Sequence, residues 1–548
     1  MLDFTQYFAT RLRRLITSQR DPIPDSTQVP DSAGGFAWAV DEWARLDRFL
    51  ILGSEGGTYY IGERPLTVEN AQAVRACLAA DGTRVIHRVV EISVSGRAPT
   101  NDPALFVLAM AAGLGNDATR AAALRALASV ARTGTHLFHW LQYVTAFRGW
   151  GRGMRSAVGR WYADRSPGDV AYQLLKYQSR DGWSHRDALR LAHPTAPSPA
   201  HQTLFRYATH GFAAVAEPDT LPLDVRERLG AVQAIRGMTA GDAARVIRDR
   251  RLTREMVPTE LLRHAVVWDA LLDKMPLTAL VRNLSVMTRI GLVAPGSDVA
   301  RRIAARLGDR DALRRSRVHP MGLLSALRTY AQGRGMRGQG SWTPVAQVVD
   351  ALDGAFYLSF ENAPSTGKRL LLALDVSGSM GAQVHGMPYV SCREACAAMA
   401  LVTATAEPAH HFVAFTAGPY RSQYGSGTGL AALAISPRQR LDDVVRATAA
   451  LPFGGTDCAL PMVEAMKHRW PVDAFVIYTD SETWAGEIHP AQALRDYRER
   501  MGIAARLIVV AMASNGFSIA DPDDAGMLDV VGFDTATPGV ISDFVGRG

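Results

Sequence analysis

The sequence predicts a two-domain protein, with an all-helical solenoid over residues 1–363 and an α/β domain with a doubly wound parallel sheet over residues 364–548. Three observations support this prediction. The chain, at 548 residues, is too long for one ordinary hydrophobic core. Apolar residues recur at helical spacing through most of the first part, whereas buried-strand and helix patterns alternate in the second part.

The first part contains many amphipathic segments in series. The clearest are 101–112, 119–131, 259–272 and 320–330, in which apolar residues lie three and four positions apart. Strand-like alternation is almost absent, and Gly, Pro, Asp or Asn marks the short connections. Such a series is typical of an α-solenoid, although no repeat of fixed period is visible. The Gly-rich stretch 331–344 is interpreted as a linker, with an RNA-contacting segment as the alternative.

The second part alternates strands and helices. Strands are predicted at 369–375, 411–416, 474–479 and 506–512, and helices at 393–406, 438–451 and 490–500. The first, third and fourth strands are continuous apolar runs, as expected for strands buried on both faces. This order predicts a parallel sheet covered by helices on both sides.

Charge is distributed unevenly between the two parts. Residues 1–363 carry 46 Lys and Arg against 34 Asp and Glu, a net charge of +12, whereas residues 364–548 carry 14 against 19, a net charge of −5. This asymmetry favours a polyanion as a ligand of the first part only. Only four of the 60 basic residues are lysine. Arginine suits phosphate binding and base stacking, but the bias is equally explained by a GC-rich genome.

Several classes of protein are disfavoured. No apolar stretch approaches the roughly 18 residues of a membrane span, and the opening residues have too many charges for a secretion signal. The four cysteines, Cys77, Cys392, Cys396 and Cys458, are too few and too scattered for a disulfide framework or a zinc site. We therefore expect reduced cysteines and a cytoplasmic protein.

A metal site is predicted at the ends of the buried strands. Asp375, Ser377 and Ser379 follow the first of these strands at alternate positions, so that one carboxylate and two hydroxyls can face the same side. Thr456 belongs to a Gly-Gly-Thr-Asp motif, and Asp480 closes another central strand. These hard oxygen donors favour Mg²⁺, with Mn²⁺ as the alternative, over Zn²⁺. The competing interpretation is that the serines only shape a turn.

These motifs resemble the metal-ion-dependent adhesion site of von Willebrand factor A domains. The resemblance implies that Ser377, Ser379 and Thr456 contact the ion directly, whereas Asp375 and Asp480 act largely through bound water. It also implies an open coordination position that receives an acidic residue from a partner protein.

A cationic patch is predicted over residues 174–193, which have the pattern helix, turn, helix. Ser184 is a candidate N-cap, with Asp187 three residues later, and Pro194 stops the second helix. Leu189 and Ala192 lie on the face expected to pack inward. The basic stripe on this second helix consists of Arg186, Arg190 and His193.

The preceding helix adds to this patch. Lys176 and Arg180 lie one helical turn apart, and Tyr177 and Trp183 are within reach for stacking on bases. Phosphates bound by cations and unpaired bases stacked on aromatic rings are the chemistry of RNA recognition. An ordinary solvated helix face is the alternative.

Together these segments resemble the Ro ribonucleoprotein family, the TROVE-domain proteins, in the form of a bacterial Ro orthologue. The matching stretches are 177–193, 275–288, 317–330, 366–380, 453–462 and 514–534. The resemblance implies a ring of HEAT-like helical repeats closed by the von Willebrand A-like domain. It implies Y RNA on the outer surface, single-stranded ends of misfolded or immature RNA in the ring hole, and exoribonuclease partners in RNA quality control, maturation and decay.

The resemblance also assigns residues. Lys176, Arg180 and His193 would contact Y RNA, with His185, Arg186 and Arg190 as neighbours. Arginine often stands where relatives carry lysine, which preserves charge but alters the geometry of individual contacts.

We expect an RNA-binding protein without catalytic activity, because no activated nucleophile or general base accompanies the predicted metal site. A protein-interaction scaffold, which uses the solenoid and a Mg²⁺-dependent adhesion site to bind protein partners, is the main alternative. A metal-dependent hydrolase is the third hypothesis. Neither a membrane nor DNA is expected as a partner.

Overall fold

The computed structural model describes residues 16–52, 71–98, 100–215, 218–316, 318–335, 340–360, 365–384, 389–416, 421–422, 425–426, 429–436, 438–451, 454–512, 516–531 and 537–546. Residues 336–339 of the predicted linker lie outside this set. Among the described helices, none combines the length and the apolar character that a membrane crossing requires.

The described chain begins with two short strands and a helix. These elements are β1 (Gln28–Pro30), β2 (Phe36–Ala39) and α1 (Glu42–Leu52). β1 and β2 form an antiparallel hairpin, and Trp38 and Ala37 on β2 are buried. Because Ala37 and Trp38 are adjacent in the strand, they point to opposite faces, and both faces are covered at this point.

Helices follow in series over residues 72–358. They are α2 (Gln72–Ser95, kinked at Asp81), α3 (Asp102–Leu114), α4 (Asp117–Val130), α5 (Gly134–Phe147), α6 (Arg152–Ala163) and α7 (Pro167–Lys176). A small hairpin, β3 (Ser179–Arg180) and β4 (Trp183–Ser184), precedes α8 (His185–Ala192), α9 (Pro199–His210), α10 (Leu223–Ala234) and α11 (Ala240–Arg250). The series ends with α12 (Ala265–Leu272), α13 (Leu277–Arg289), α14 (Asp298–Leu307), α15 (Arg310–Ser316), α16 (Pro320–Ala331) and α17 (Ala346–Leu358).

Neighbouring helices in this series pack on one another. α3 packs against α5, α11 against α12 and α16 against α17, and each buries its apolar stripe in the contact. One contact spans the series: Nε2 of His319 lies 3.1 Å from the carbonyl oxygen of Arg97. The predicted helices at 101–112, 119–131 and 320–330 are confirmed, whereas the 259–272 helix begins only at Ala265, because a 3₁₀ turn occupies Leu261–Arg263.

The α/β part has a six-stranded sheet with the strand order β13-β11-β10-β5-β6-β9. Its strands are β5 (Leu370–Asp375), β6 (His410–Phe415), β9 (Leu430–Ala432), β10 (Ala474–Thr479), β11 (Arg506–Ala511) and β13 (Met527–Val531). All neighbours are parallel except β6 and β9. The remaining elements are β7 (Arg421–Ser422), β8 (Gly425–Ser426), β12 (Phe517–Ser518), α18 (Cys392–Ala406), α19 (Leu441–Ala449), α20 (Leu460–Lys467), α21 (Pro490–Met501) and α22 (Thr537–Gly546).

The core of this sheet is continuous and apolar. Every residue of β5 and β10 is buried, as the apolar runs predict. On one face, α20 and α21 pack against the sheet together with Trp38 of β2. On the other face lies α18, whose small residues are almost all buried. The doubly wound parallel sheet predicted from the sequence is therefore confirmed.

The chain divides into two compact units, and one of them consists of two separate stretches of the sequence. One unit comprises Gln72–Ser359, and the other comprises Met1–Ala71 together with Phe360–Gly548. The predicted helical domain began at residue 1, so the division differs from that prediction for the first 71 residues. The physical reason is strand pairing: β2 pairs with β12, through Ala39 opposite Phe517 and Trp38 opposite Ser518.

Candidate functional site

The first candidate site lies at the carboxyl ends of β5 and β10. Asp375 is the last residue of β5 and is fully buried. Its Oδ1 accepts a hydrogen bond of 2.8 Å from the backbone N–H of Ser377, and its Oδ2 accepts one of 2.7 Å from the hydroxyl of Thr479 at the end of β10. The hydroxyl oxygens of Ser377 and Ser379 lie 3.0 Å apart. Adjacent parallel strands therefore place the first loop and Asp480, next after Thr479, at one edge of the sheet.

The Thr456 loop is joined to the same edge through backbone contacts. The carbonyl oxygen of Thr456 accepts hydrogen bonds of 3.2 and 3.0 Å from the backbone N–H groups of Trp484 and Ala485. A Cβ on Gly455 would lie 2.7 Å from the Trp484 ring, so only glycine permits this approach. All five predicted metal residues are buried, and the structure places them on three loops at this edge.

Burial and mutual repulsion make the two carboxylates of this site costly without a cation. Burial, and then the neighbouring Asp375 carboxylate, raises the pKa of Asp480 to about 7. The pKa of Asp375 is also raised, chiefly by burial, against the hydrogen bonds from Ser377 and Thr479. A divalent ion at these loops would favour the charged forms of both groups.

The donor set fits a hard cation. In the part of the chain that the structure describes, no three His, Cys, Asp or Glu side chains cluster as a metal site. A metal here would therefore depend on hydroxyl oxygens as well as on the two carboxylates, and oxygen-only donors suit Mg²⁺ or Mn²⁺.

The N-terminal segment supports this edge, a contact that the sequence did not predict. The fully buried Gln19 side chain accepts hydrogen bonds of 2.5 Å from the Thr483 hydroxyl and 3.2 Å from the Gly486 N–H. Its amide donates at 2.8 Å to both Asp457 and the carbonyl of Ile488. No local sequence signal marks Gln19, because its partners lie more than 400 positions away.

The second candidate site is formed by α7, the β3–β4 hairpin and α8. The predicted capping box of Ser184 and Asp187 is present at the start of α8, and Leu189 and Ala192 are buried as expected. On the opposite side, Arg186 and Arg190 are exposed, together with His193. No described residue forms an ion pair or hydrogen bond with the side chains of these two arginines. We call Lys176, Arg180, Arg186, Arg190 and His193 the cationic surface.

Lys176 and Arg180 occupy different environments within the cationic surface. The half-buried Lys176 ammonium lies 2.9 Å from the Tyr172 hydroxyl and about equally far above the rings of Tyr172 and Tyr177, at 5.1 and 5.2 Å. Tyr172 lies one turn earlier on α7, and its spacing from Lys176 could have indicated this contact. Arg180 keeps 60% of its side chain exposed on the β3–β4 hairpin.

His185 does not belong to the cationic surface, which corrects the predicted RNA contact. It is 4% exposed, and its ring nitrogens lie 2.7 Å from the Tyr162 hydroxyl and 3.1 Å from the carbonyl oxygen of Gln173. Burial lowers the pKa of His185 to about 4, so the ring is neutral at physiological pH. Its place at the first position of α8 turns it inward, where it packs edge-on to Phe138 at 4.8 Å.

A cavity adjoins the cationic surface where α8 ends. His193 caps α8 in the left-handed backbone region, with φ of 46°. The cavity, of about 460 Å³, is bounded by His193, Gln202, Phe205 and Arg206 among others. Its walls come from α8, α9 and their connection, so no contiguous sequence pattern could have revealed it. Ligand pockets of this volume commonly take molecules of nucleotide size.

Two family models match this chain. The TROVE domain model matches residues 29–221 and 216–329, and the Ro60 vWA domain model matches residues 369–545.

Individual relatives extend these matches over most of the chain. An RNA-binding protein RO60 from Deinococcus radiodurans is 42% identical, with 95% of this chain and 96% of the relative covered. An RNA-binding protein RO60 from Caenorhabditis elegans is 37% identical, with 97% and 92% covered. The crystal structure of the Deinococcus radiodurans RO (RSR) protein superposes with a TM-score of 0.70 and 40% identity, over 92% of this chain and 99% of that one. With both domain types matched in order and relatives aligned almost end to end, the chain belongs to the Ro60 family.

Proposed function

We propose that this protein binds RNA through the cationic surface on α7, the β3–β4 hairpin and α8. The observation that carries the proposal is the pair of exposed arginines, Arg186 and Arg190, which have no carboxylate partner among the described residues and stand beside the His193 cavity. Cations that are not neutralised within the protein are available to phosphates. The names of the relatives, RNA-binding protein RO60, support the same ligand class.

In this proposal, different parts of the surface have different tasks. Arg186 and Arg190 lie one turn apart on α8, a spacing that suits contacts to nearby phosphates along a strand. The His193 cavity is large enough for an unstacked base, with the half-buried Phe205 ring and the Arg206 guanidinium as stacking faces. Phosphate contacts would fix the register of the RNA, and the cavity would select for unpaired nucleotides.

In finer terms, we propose that small Y RNAs bind this outer surface and that single-stranded ends of misfolded or immature RNA enter a ring hole. The protein would then act in RNA quality control, maturation and decay together with exoribonucleases. Ring closure stays a prediction. The contact between His319 and Arg97 supports it, because it joins the beginning and the end of the helical series.

The test is the RNA affinity of purified variants, measured by fluorescence anisotropy over a range of salt concentrations. Lys176→Ala, His193→Ala and the double change Arg186→Ala/Arg190→Ala should each weaken binding. Each lost phosphate contact should reduce the slope of log affinity against log salt by about 0.7 to 0.9. Sequencing the RNA that co-purifies with wild-type protein and with these variants would identify the ligands.

A matched control removes two exposed arginines elsewhere in the helical unit. Arg75 on α2 and Arg125 on α4 are exposed, and Arg75→Ala/Arg125→Ala removes the same charge as the α8 double change. Equal losses of RNA affinity in both double variants would show that the effect depends on net charge alone. Binding that does not depend on salt would contradict the proposal.

We further propose that the sheet-edge site binds one divalent cation, Mg²⁺ or alternatively Mn²⁺. Ser377, Ser379 and Thr456 would hold it directly, and Asp375 and Asp480 largely through water. Support comes from the buried oxygen donors and from the raised pKa of Asp480. Bound there, the ion would supply positive charge and an open position for an outside carboxylate.

Calorimetric titration with Mg²⁺ and with Mn²⁺ tests the metal site. Asp375→Asn should abolish binding, because it removes a carboxylate but keeps the size of the side chain. Ser365→Ala, outside the metal loops, is the control, with unchanged binding expected. A wild-type protein that binds neither ion at millimolar concentration would rule the site out.

The open coordination position gives the metal site a protein-binding role in this proposal. A partner that offers an acidic residue would complete the coordination of the ion. The chain would thus combine RNA binding on the helical unit with adhesion on the α/β unit, without catalysis. Loss of a co-purifying protein in the Asp375→Asn variant would support this role, and Mg²⁺-dependent RNA cleavage by wild-type protein would contradict it.

A further inference from the structure

A second cationic feature shares Lys176 with the cationic surface. It is a small cleft between the end of α7, the turn after α11 and the turn between α12 and α13. We call it the Lys274 cleft. Its polar and charged lining consists of Lys176, Arg251, Thr253, Arg254, Glu255 and Lys274. Leu271 and Met275 form part of its apolar floor.

The four cations of the Lys274 cleft are not neutralised by the protein. No described carboxylate forms an ion pair with Lys176, Arg251, Arg254 or Lys274, although Glu255 shares the lining. The arginines beside them differ. On α11, Arg248 pairs with Asp269 at 2.6 Å and with Asp273 at 3.2 Å, and Arg250 pairs with Glu227. Four positive charges without a carboxylate partner line one cleft and repel one another, so an anion in the cleft would lower the energy of the arrangement.

The use of lysine in this cleft is selective. Residues 1–363 contain 46 basic residues, and only Lys176 and Lys274 among them are lysine. Both line the same cleft, although they lie on different helical elements. An ammonium group is a compact point charge, whereas a guanidinium is a wide planar fork. In a narrow anion site, the smaller size of the ammonium group favours lysine over arginine.

The size and the polar lining of the cleft restrict the kind of ligand that it can bind. Its volume is about 40 Å³, which is room for about three water-sized groups and too little for a base. The Thr253 hydroxyl is buried and has no hydrogen-bond partner among the described residues, although it occupies the N-cap position of a 3₁₀ turn. Arg251 is held in the left-handed region, with φ of 51°, where glycine is the usual residue. A tetrahedral phosphate would accept hydrogen bonds from the Thr253 hydroxyl and from the cationic side chains that line the cleft.

We propose that the Lys274 cleft binds a backbone phosphodiester of the same RNA that contacts the cationic surface. The inference rests on the proposed RNA-binding function and extends the RNA path from the cationic surface to the cleft through Lys176, which belongs to both. Lys176 and Lys274 supply charge, and the Thr253 hydroxyl supplies a directed hydrogen bond. Because no base fits, this contact adds affinity without sequence preference.

The experiment uses the full chain and a fluorescein-labelled RNA stem-loop with a single-stranded tail, titrated by anisotropy at several KCl concentrations. Lys274→Met keeps the length of the side chain and removes the charge, so it should reduce the salt slope by about 0.7 to 0.9 and weaken binding at low salt. Thr253→Val removes only the hydroxyl. It should weaken binding about threefold to tenfold and leave the salt slope unchanged.

Three controls separate the outcomes. Arg75→Ala/Arg125→Ala should leave the affinity near that of the wild type, and thermal unfolding should show that Lys274→Met and Thr253→Val are folded. Wild-type affinity and slope in both cleft variants, with binding lost in Arg186→Ala/Arg190→Ala, would overturn the cleft assignment and leave the proposed function intact. Absence of RNA binding by the wild type would overturn both.

Discussion

At the scale of single residues, His185 shows how a histidine inside an otherwise exposed cationic segment can be part of the core. Both ring nitrogens contact the protein, and burial lowers its pKa to about 4. In the unfolded chain the ring titrates near its ordinary pKa of 6.5. Between these values the unfolded state binds a proton that the folded state excludes, so this contribution to stability is complete above pH 6.5 and is lost as the pH falls toward 4.

His185→Gln should therefore flatten the pH dependence of unfolding of the helical unit between pH 6.5 and 4. The lost contribution is about 3 kcal/mol at most, from a pKa difference of about 2.5. Chemical denaturation at several pH values measures it. His136, whose pKa burial also lowers to about 4, accounts for a remaining slope. His210→Gln, at the exposed end of α9, is the control. An unchanged slope in His185→Gln would contradict the assignment.

Arg48 is a second basic residue that is buried, and it forms an ion pair with Asp529. It is 1% exposed, and its guanidinium lies 2.6 Å from the carboxylate of Asp529 and 2.9 Å from the carbonyl of Phe517. Arg48→Ala leaves the Asp529 carboxylate, which is 19% exposed, without its main counterion and should cost about 3–5 kcal/mol in urea unfolding. Arg48→Ala combined with Asp529→Ala should recover part of this loss. A double variant less stable than the sum of both changes would argue against a direct pair.

At the scale of secondary-structure elements, the segment before β1 acts as a support for the loops of the α/β unit. Gln19 satisfies two donors and two acceptors from the Asp457 and Thr483 regions. Its removal takes one hydrogen bond from each of these four groups, although Asp457 and Thr483 keep other partners, and each lost bond costs about 0.5–1.5 kcal/mol. We expect Gln19→Ala to lower the free energy of unfolding by at least about 2 kcal/mol.

Metal titration distinguishes a role of Gln19 in holding the metal loops from a role in stabilising the fold alone. The Thr483 loop hydrogen-bonds to the backbone of Thr456, so Gln19→Ala should also weaken Mg²⁺ binding. Ser26→Ala serves as the control, because it changes the same segment at a position whose hydroxyl, within the described ranges, hydrogen-bonds to Gln28. Metal affinity equal to that of the wild type in Gln19→Ala would confine the role of this segment to folding.

Sequence patterns predicted the elements with strong periodicity and missed the contacts that depend on the chain's path. Apolar runs located β5, β10 and β11 to within a residue, because both faces of these strands are buried. Short elements such as β9 and β12 carry too few residues for a period to be visible. The residues proposed to bind metal lie at strand ends that the sequence predicts, whereas Gln19, Thr253 and the His193 cavity depend on segments that meet only after folding.

At the scale of the whole molecule, the helical unit is inserted into the sequence of the α/β unit. The first 71 residues belong with residues 360–548, and residues 72–359 lie between them in the chain. Amide hydrogen exchange on the full-length protein tests this division. Arg48→Ala should raise exchange in β12 and β13 and leave α2 to α5 unchanged, although α2 is far closer to Arg48 in sequence. Increased exchange that is confined to α2 and its neighbours would contradict the division.

The pairing of β2 with β12 also sets a time order for biosynthesis. Trp38 and Ala39 leave the ribosome long before their partners Ser518 and Phe517 have been translated. At about 5–20 residues per second, the interval is roughly half a minute or longer. During it the helices from α2 to α17 emerge and can pack locally, while the edge of β2 opposite β1 has no strand to pair with. Nascent chains stalled before residue 517 should therefore bind chaperones at Phe36–Ala39. The unit whose synthesis begins first is completed only when the last strands have been made.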